Sequence, residues 1–255
     1  MRDEATAALR WIDCNARIGR WSSPQPEQFT QPAELLAAWD RVGIHGGLVY
    51  HSWAWEWSAA RGNQRLLEEI DGEERLRPCF VVLPPATQEM GPPADLAATI
   101  RDLHGAVRIF PKMHNWSVRD WCAGALFEAL AEHGVPVLVD IKEVDWDSVA
   151  SLVARHPDMP VIVLNFYYRV DRWIYPLLER HDNFHIEANT YGVFRGVEEV
   201  VARFGPGGLV FGTGLPELEA GGPMAMISYA EISDEDKRLI AGGNLLRLLG
   251  EEEVP

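Results

Sequence analysis

Eight short apolar, β-branched runs recur along the chain, each five to eight residues long and each followed by a segment that reads as helix. They lie at 11–18, 47–52 (GLVYHS), 78–83 (PCFVVL), 106–110 (AVRIF), 135–141 (VPVLVDI), 160–166 (PVIVLNF), 183–188 (NFHIEA) and 208–212 (GLVFG). Continuous rather than alternating apolar runs of this length mark strands buried on both faces, as in a parallel sheet.

The segments between them carry helix punctuation. Thr30 and Glu34 precede an amphipathic stretch that stops at Gly43, and residues 123–133 stop in the same way at Gly134. A glycine just past the last turn is the usual left-handed cap. Residues 146–155 and 196–204 have the same character, and Ser233 with Asp236 opens a last helix whose first turn is acidic, as the helix dipole favours. Residues 84–93 read as a loop. Strand–helix alternation without hairpin signals predicts an α/β fold, and eight such units in one domain predict a single (β/α)8 TIM barrel over the whole chain, 1–255, with a core of about 11–250. An open doubly wound sheet is the weaker expectation, because no GxGxxG follows the first strand and no phosphate-binding loop is present. No cofactor is expected.

Composition narrows the partners. A net charge of −15, with 23 basic residues scattered among 38 acidic ones, argues against nucleic acid, since phosphate contacts need clustered cations. No window reaches the ~20 apolar residues of a membrane span. Cys14, Cys79 and Cys122 form no paired spacing, so a cytoplasmic, reducing setting is expected.

Functional groups of a barrel sit at the C-terminal ends of its strands. Those ends carry Asn15, Arg17, His51, Lys112, His114, Asp140, Lys142, Asn165, Glu187, Asn189 and Thr213. Cys14, lying between two inward positions, is expected to face the helices as an inert thiol. Eight of the ten tryptophans follow strand ends, and WAWEW would put Trp53, Trp55 and Trp57 on one face if extended. That much aromatic surface predicts an aromatic pocket mouth, a homo-oligomer interface, or both.

In order along the chain, these strand ends resemble the amidohydrolase-related family of metal-dependent hydrolases and decarboxylases. The family opens on Asp-x-His-x-His; here the stretch is Asp13-Cys14-Asn15-Ala16-Arg17. Its fifth strand ends in a histidine where GVPVLVD places Asp140, and its sixth in another where HPDMPVIVLN places Asn165. Its eighth strand carries an aspartate where Phe211-Gly212-Thr213-Gly214 places Gly214, and its final helix resembles the stretch around Asn244. Asp13–Trp21 also resembles a branch that opens on Asp-x-Asn-x-x-x-Gly-Arg-Trp.

The resemblance implies an amidohydrolase-like barrel whose metal slots hold Asn15, Arg17, Asp140, Asn165 and Gly214. A guanidinium repels a metal ion, so no metal is expected. Arg17 is expected to take the vacated cation position and pair with Asp140, above a floor of Asn15 and Asn165; alternatively, these groups form only an internal polar cluster. Asp140, Glu187 and Arg17 are the catalytic candidates. Asn15, Lys112, His114, Asn165, His51 and Trp53 are the candidates for binding a small-molecule ligand. The expected activity is a metal-free hydrolase or lyase acting on a small organic acid. Two alternatives stand beside it: a non-catalytic descendant that binds a small molecule or a protein, and a metallohydrolase with ligands drawn from His51, His114 and Asp140.

Overall fold

The computed structural model describes residues 9–23 and 27–251. Eight parallel strands run in chain order: β1 (Trp11–Ile18), β2 (Ile44–His51), β3 (Leu76–Val81), β4 (Ala106–Ile109), β5 (Val137–Asp140), β6 (Val161–Leu164), β7 (Phe184–Glu187) and β8 (Leu209–Val210). The sheet closes where β8 returns to β1: Cys14 N–H bonds Phe211 O at 3.0 Å, and Arg17 N–H bonds Leu215 O at 3.0 Å. Asp13 staples this seam, accepting from the Thr213 N–H at 2.9 Å and from the Trp39 indole at 3.3 Å. The expected (β/α)8 barrel is thus the architecture observed.

Around it stand α1 (Pro32–Val42), α2 (Ser52–Glu56), α3 (Ala59–Ile70), α4 (Pro93–Asp102), α5 (Asp120–Glu132), α6 (Trp146–Arg155), α7 (Asp171–Arg180), α8 (Gly196–Phe204), α9 (Gly221–Ser228), α10 (Asp234–Arg238) and α11 (Asn244–Leu249). Glu34 closes a capping box at the start of α1, and Gly43 ends that helix at φ 83°. A π-helical turn, Leu239–Gly243, joins α10 to α11, so the predicted single last helix is three pieces. Asn244 ties them to the barrel, its amide bonding Pro206 O at 2.9 Å and Leu209 O at 2.8 Å. No described helix is long and apolar enough to cross a membrane.

The apolar residues divide between two buried layers. Val107, Ile109, Val137, Val139, Val161 and Val163 pack outward on the helices. Leu48, Cys79, Phe110, Leu138, Ile162 and Val210 fill the lumen, with α11 packed against the same layer. This is the two-residue period of strands applied around a closed sheet.

β1 breaks that period. Asp13 pairs with Gly47 but Ala16 with Val49, so β1 carries one extra residue between them. A bulge of this kind turns consecutive side chains to one side. Cys14 therefore joins the lumen layer rather than facing the helices, and Asn15 and Arg17 still point inward. Its thiol remains inert, because burial pushes its pKa well up.

Candidate functional site

A cavity of about 360 Å³ opens at the C-terminal end of the lumen. Its polar lining comes from β1 (Asn15, Arg17), β4 (Arg108), β5 and its loop (Asp140, Lys142, Glu143), Asn165 after β6, and Glu217 after β8. Its aromatic walls are Trp21, Tyr50, Trp55 and Phe110.

The floor is one hydrogen-bonded network. Arg108 Nη1 donates to Asn15 Oδ1 at 2.6 Å, and its Nη2 lies 3.9 Å from Asp140 Oδ2. Asn15 Nδ2 donates to Glu187 Oε1 at 2.9 Å, and Asn165 Nδ2 donates to Asp140 Oδ2 at 2.7 Å. The Lys142 N–H holds the other Asp140 oxygen at 2.8 Å. Asn165 reaches Asp140 from a left-handed backbone, φ 54°, a conformation asparagine tolerates better than most residues. Arg108 is buried and lies over the Tyr50 ring at 4.6 Å. The Glu187 carboxyl is wholly buried, which pushes its pKa up to about 7.

Arg17 is placed differently. It is buried and stacked over Trp21 at 4.1 Å, and its Nη2 donates to Glu217. The expected pairing of Arg17 with Asp140 is therefore not made. Arg108, from a neighbouring strand of β5, already stands beside Asp140, while Arg17 sits one strand pleat higher on β1, level with the Glu217 loop.

The remaining predicted residues divide between wall and periphery. Asn15, Arg17, Asp140 and Asn165 converge on the cavity, whereas Glu187 lies beneath the floor, behind Asn15. His51 is outside the cavity. Its Nδ1 accepts the Trp53 N–H at 3.1 Å, its Nε2 lies 3.6 Å from Glu69, and burial lowers its pKa to about 4. Because His51 caps α2, the WAWEW stretch coils instead of extending. Trp53 then stacks on Trp57 at 5.5 Å at the surface, while Trp55 turns to Trp21, 4.7 Å away. Lys112 is exposed; its N–H bonds Glu143 at 2.9 Å. His114 sits behind Phe110, with Nε2 2.7 Å from Trp55 O. Neither lines the cavity.

Sequence reasoning missed Arg108, Tyr50, Phe110 and Glu217. Arg108 had a signal: a lone arginine inside an apolar strand, out of phase with Val107 and Ile109. Glu217 had none, because a loop carboxylate looks like any solvated one.

A divalent metal centre needs several imidazole, thiolate or carboxylate donors aimed at one point. Among the described residues, no three His, Cys, Asp or Glu side chains are so grouped. A guanidinium instead occupies the space between Asn15 and Asp140. This donor set does not fit a divalent cation.

Residues 12–250 match the profile of the family described as Amidohydrolase. No curated protein matches the chain. Among solved structures, 5-carboxyvanillate decarboxylase from Sphingomonas paucimobilis aligns with a TM-score of 0.69 at 15% identity, covering 96% of this chain and 100% of that one. The 2,6-dihydroxybenzoate decarboxylase from Rhizobium aligns at 0.67 and 13% identity, covering 95% and 99%. A probable 2-pyrone-4,6-dicarboxylic acid hydrolase from Acinetobacter baumannii aligns at 0.67 and 12% identity, covering 95% and 100%. At these identities the likeness is one of fold.

Proposed function

The chain belongs to the amidohydrolase family, and we propose that its barrel mouth binds a small, carboxylate-bearing organic molecule and hydrolyses or decarboxylates it without a metal ion. One observation carries this reading. Arg17 Nε and Nη1, Arg108 Nε, Trp21 Nε1 and Trp55 Nε1 are buried N–H groups without an acceptor, and all four residues line the same cavity. Each such donor costs ~1–3 kcal/mol while unpaired. These unpaired donors belong to the cavity's own lining residues, and an oxygen-rich anion is the class of ligand that would satisfy them once the wall yields to it. The named substrates of the two decarboxylases above are carboxylated aromatic rings, and the walls of Trp21, Tyr50, Trp55 and Phe110 suit such a ring.

On this reading Arg17 holds the carboxylate by charge-assisted hydrogen bonds. Arg108, fixed by Asn15 and Asp140, offers a preorganised positive charge where negative charge develops. Asp140 is the buried carboxylate on the cavity wall. It would take the proton of an attacking water in hydrolysis; in decarboxylation it would take a proton from water and pass it to the carbon as CO₂ leaves. Glu187 acts at one remove, by orienting the amide of Asn15.

A second reading, a binding module without turnover, is favoured by the position of Glu187: the carboxyl whose pKa burial moves to about 7 is sealed from the cavity by Asn15. One set of measurements separates the readings. The purified protein is assayed for metal content and for hydrolysis and CO₂ release on a panel of aromatic carboxylates, with and without chelator. Turnover that survives chelation at substoichiometric metal, and is lost in Arg17→Ala, supports the enzyme. Binding without turnover selects the second reading. Stoichiometric zinc or manganese with activity lost on chelation overturns the metal-free mechanism.

A further inference from the structure

We infer that Glu217 is a built-in stand-in for the ligand's carboxylate, one that occupies Arg17 while the cavity is empty and must leave when an anion docks. The inference rests on the reading of the cavity as an anion site, and it assigns to Glu217 the affinity threshold of that site.

The Arg17–Glu217 pair is lopsided. The guanidinium is 2% exposed and the carboxylate 45%. A buried cation left without a partner is costly, whereas a half-exposed carboxylate can return to water at little cost. Arg108 shows the contrast. Its partners Asn15 and Asp140 are both buried and belong to the barrel floor, so it is a fixed cation. Arg17 alone of the two has a partner on a loop that solvent reaches.

The guanidinium itself is held independently of Glu217. Trp21 stacks beneath it at 4.1 Å, so Glu217 can depart without Arg17 losing its position. A guanidinium presents two parallel N–H forks, Nε with Nη2 and Nη1 with Nη2, and both share Nη2. Glu217 takes that shared nitrogen, while Nε and Nη1 stay buried and unpaired. A carboxylate docking through either fork therefore arrives beside a like charge, and the two compete for the same nitrogen. Anions that cannot also use the other free donors should fail to displace it. Glu217 would thereby exclude small, adventitious anions.

The test compares wild type, Glu217→Gln and Glu217→Ala, each verified as folded by circular dichroism. Calorimetric titration uses benzoate as probe and benzamide as its neutral counterpart. If Glu217 holds Arg17 for roughly nine-tenths of the time, removing its charge lowers the Kd for benzoate about tenfold. Benzamide affinity changes little. Equal or weaker benzoate binding in the variants overturns the stand-in and leaves the cavity reading intact. An equal gain for benzamide also overturns it, since it would report added space rather than removed charge. Benzoate bound by none of the three proteins refutes the cavity reading, and the stand-in falls with it.

Discussion

Asn15 stands between Glu187 and the cavity: its Nδ2 donates to Glu187 Oε1 at 2.9 Å while its Oδ1 accepts from Arg108 at 2.6 Å. One amide thus orders a carboxyl group below it and a cation beside it. The bulge in β1 makes this possible by bringing Asn15 into the lumen next to Cys14.

Glu187 should leave a mark on the pH dependence of stability. Burial raises its pKa from 4.5 to about 7 in the folded chain. Between those values the folded state holds a proton that the unfolded state has released, so stability falls as pH rises through this window. The contribution is fully present below the unfolded value and lost above about pH 7. Urea unfolding at a series of pH values should show a decline of a few kcal/mol across the window, an order of magnitude set by ~1.4 kcal/mol per pKa unit. Glu187→Gln should flatten that decline. A wild-type profile already flat from pH 4.5 to 7 would mean that Glu187 titrates as an ordinary carboxylate.

Arg108 should be the cation on which the fold depends. It is buried over Tyr50 and bonded to Asn15, and its loss removes the buried cation that interacts with both Asp140 and Glu187. Removing one partner of a buried ionic network costs ~3–5 kcal/mol. Arg108→Met should lower the urea midpoint accordingly. Arg108→Lys should recover only part, because an ammonium cannot reproduce the planar contacts to Asn15 and the ring. A midpoint unchanged in Arg108→Met would show that the network is not under load.

Strand spacing and glycine caps made the barrel legible, since continuous apolar runs and their periods are properties of local sequence. The seam was not, because the contact of Asp13 with Thr213 joins positions 200 residues apart. In the site, Asn15, Arg17, Asp140 and Asn165 were found because strand ends and the family resemblance both pointed to them. Their pairing was misread for a physical reason. The resemblance, in which the first- and fifth-strand slots share one ion, brings Arg17 toward Asp140, but Arg108 on β4 stands beside that carboxylate, and only the closed sheet sets β4 against both β1 and β5. The WAWEW segment misled in the same way: its alternation is a strand pattern, but a cap from His51 and the contact of Ala54 with Gly62 coil it.

Trp55 should show a trade between stability and binding. Its indole N–H is buried without an acceptor, and the ring lies against Trp21 and Phe110. In Trp55→Phe the aromatic wall is largely kept and the unpaired donor disappears. The empty protein should therefore be no less stable, with a gain of up to ~1 kcal/mol, the low end of the cost of a buried unpaired donor. Benzoate should bind several-fold more weakly, because the ligand loses a donor. Thermal melts and calorimetry on the same preparation check both signs, and unchanged affinity would remove Trp55 from the anion site.

Gly214 stands where the resemblance read from the sequence expects an aspartate. Its backbone sits at φ 69°, and a Cβ there would lie 2.9 Å from Leu218 Cδ1 and 3.2 Å from Asn189 Nδ2. Gly214→Asp therefore meets backbone strain and crowding together, each of order 1 kcal/mol or more. Asn189 is not free to yield, since its amide holds Thr213 O at 2.6 Å. The added carboxylate would also enter a cavity where Arg108 already fills the space between Asn15 and Asp140. Introducing the acid should cost ~2 kcal/mol or more of stability and confer no zinc-dependent rise in melting temperature. A stabilising zinc response in Gly214→Asp would show that a single carboxylate is enough to rebuild a metal centre here, and that the guanidinium of Arg108 gives way to it.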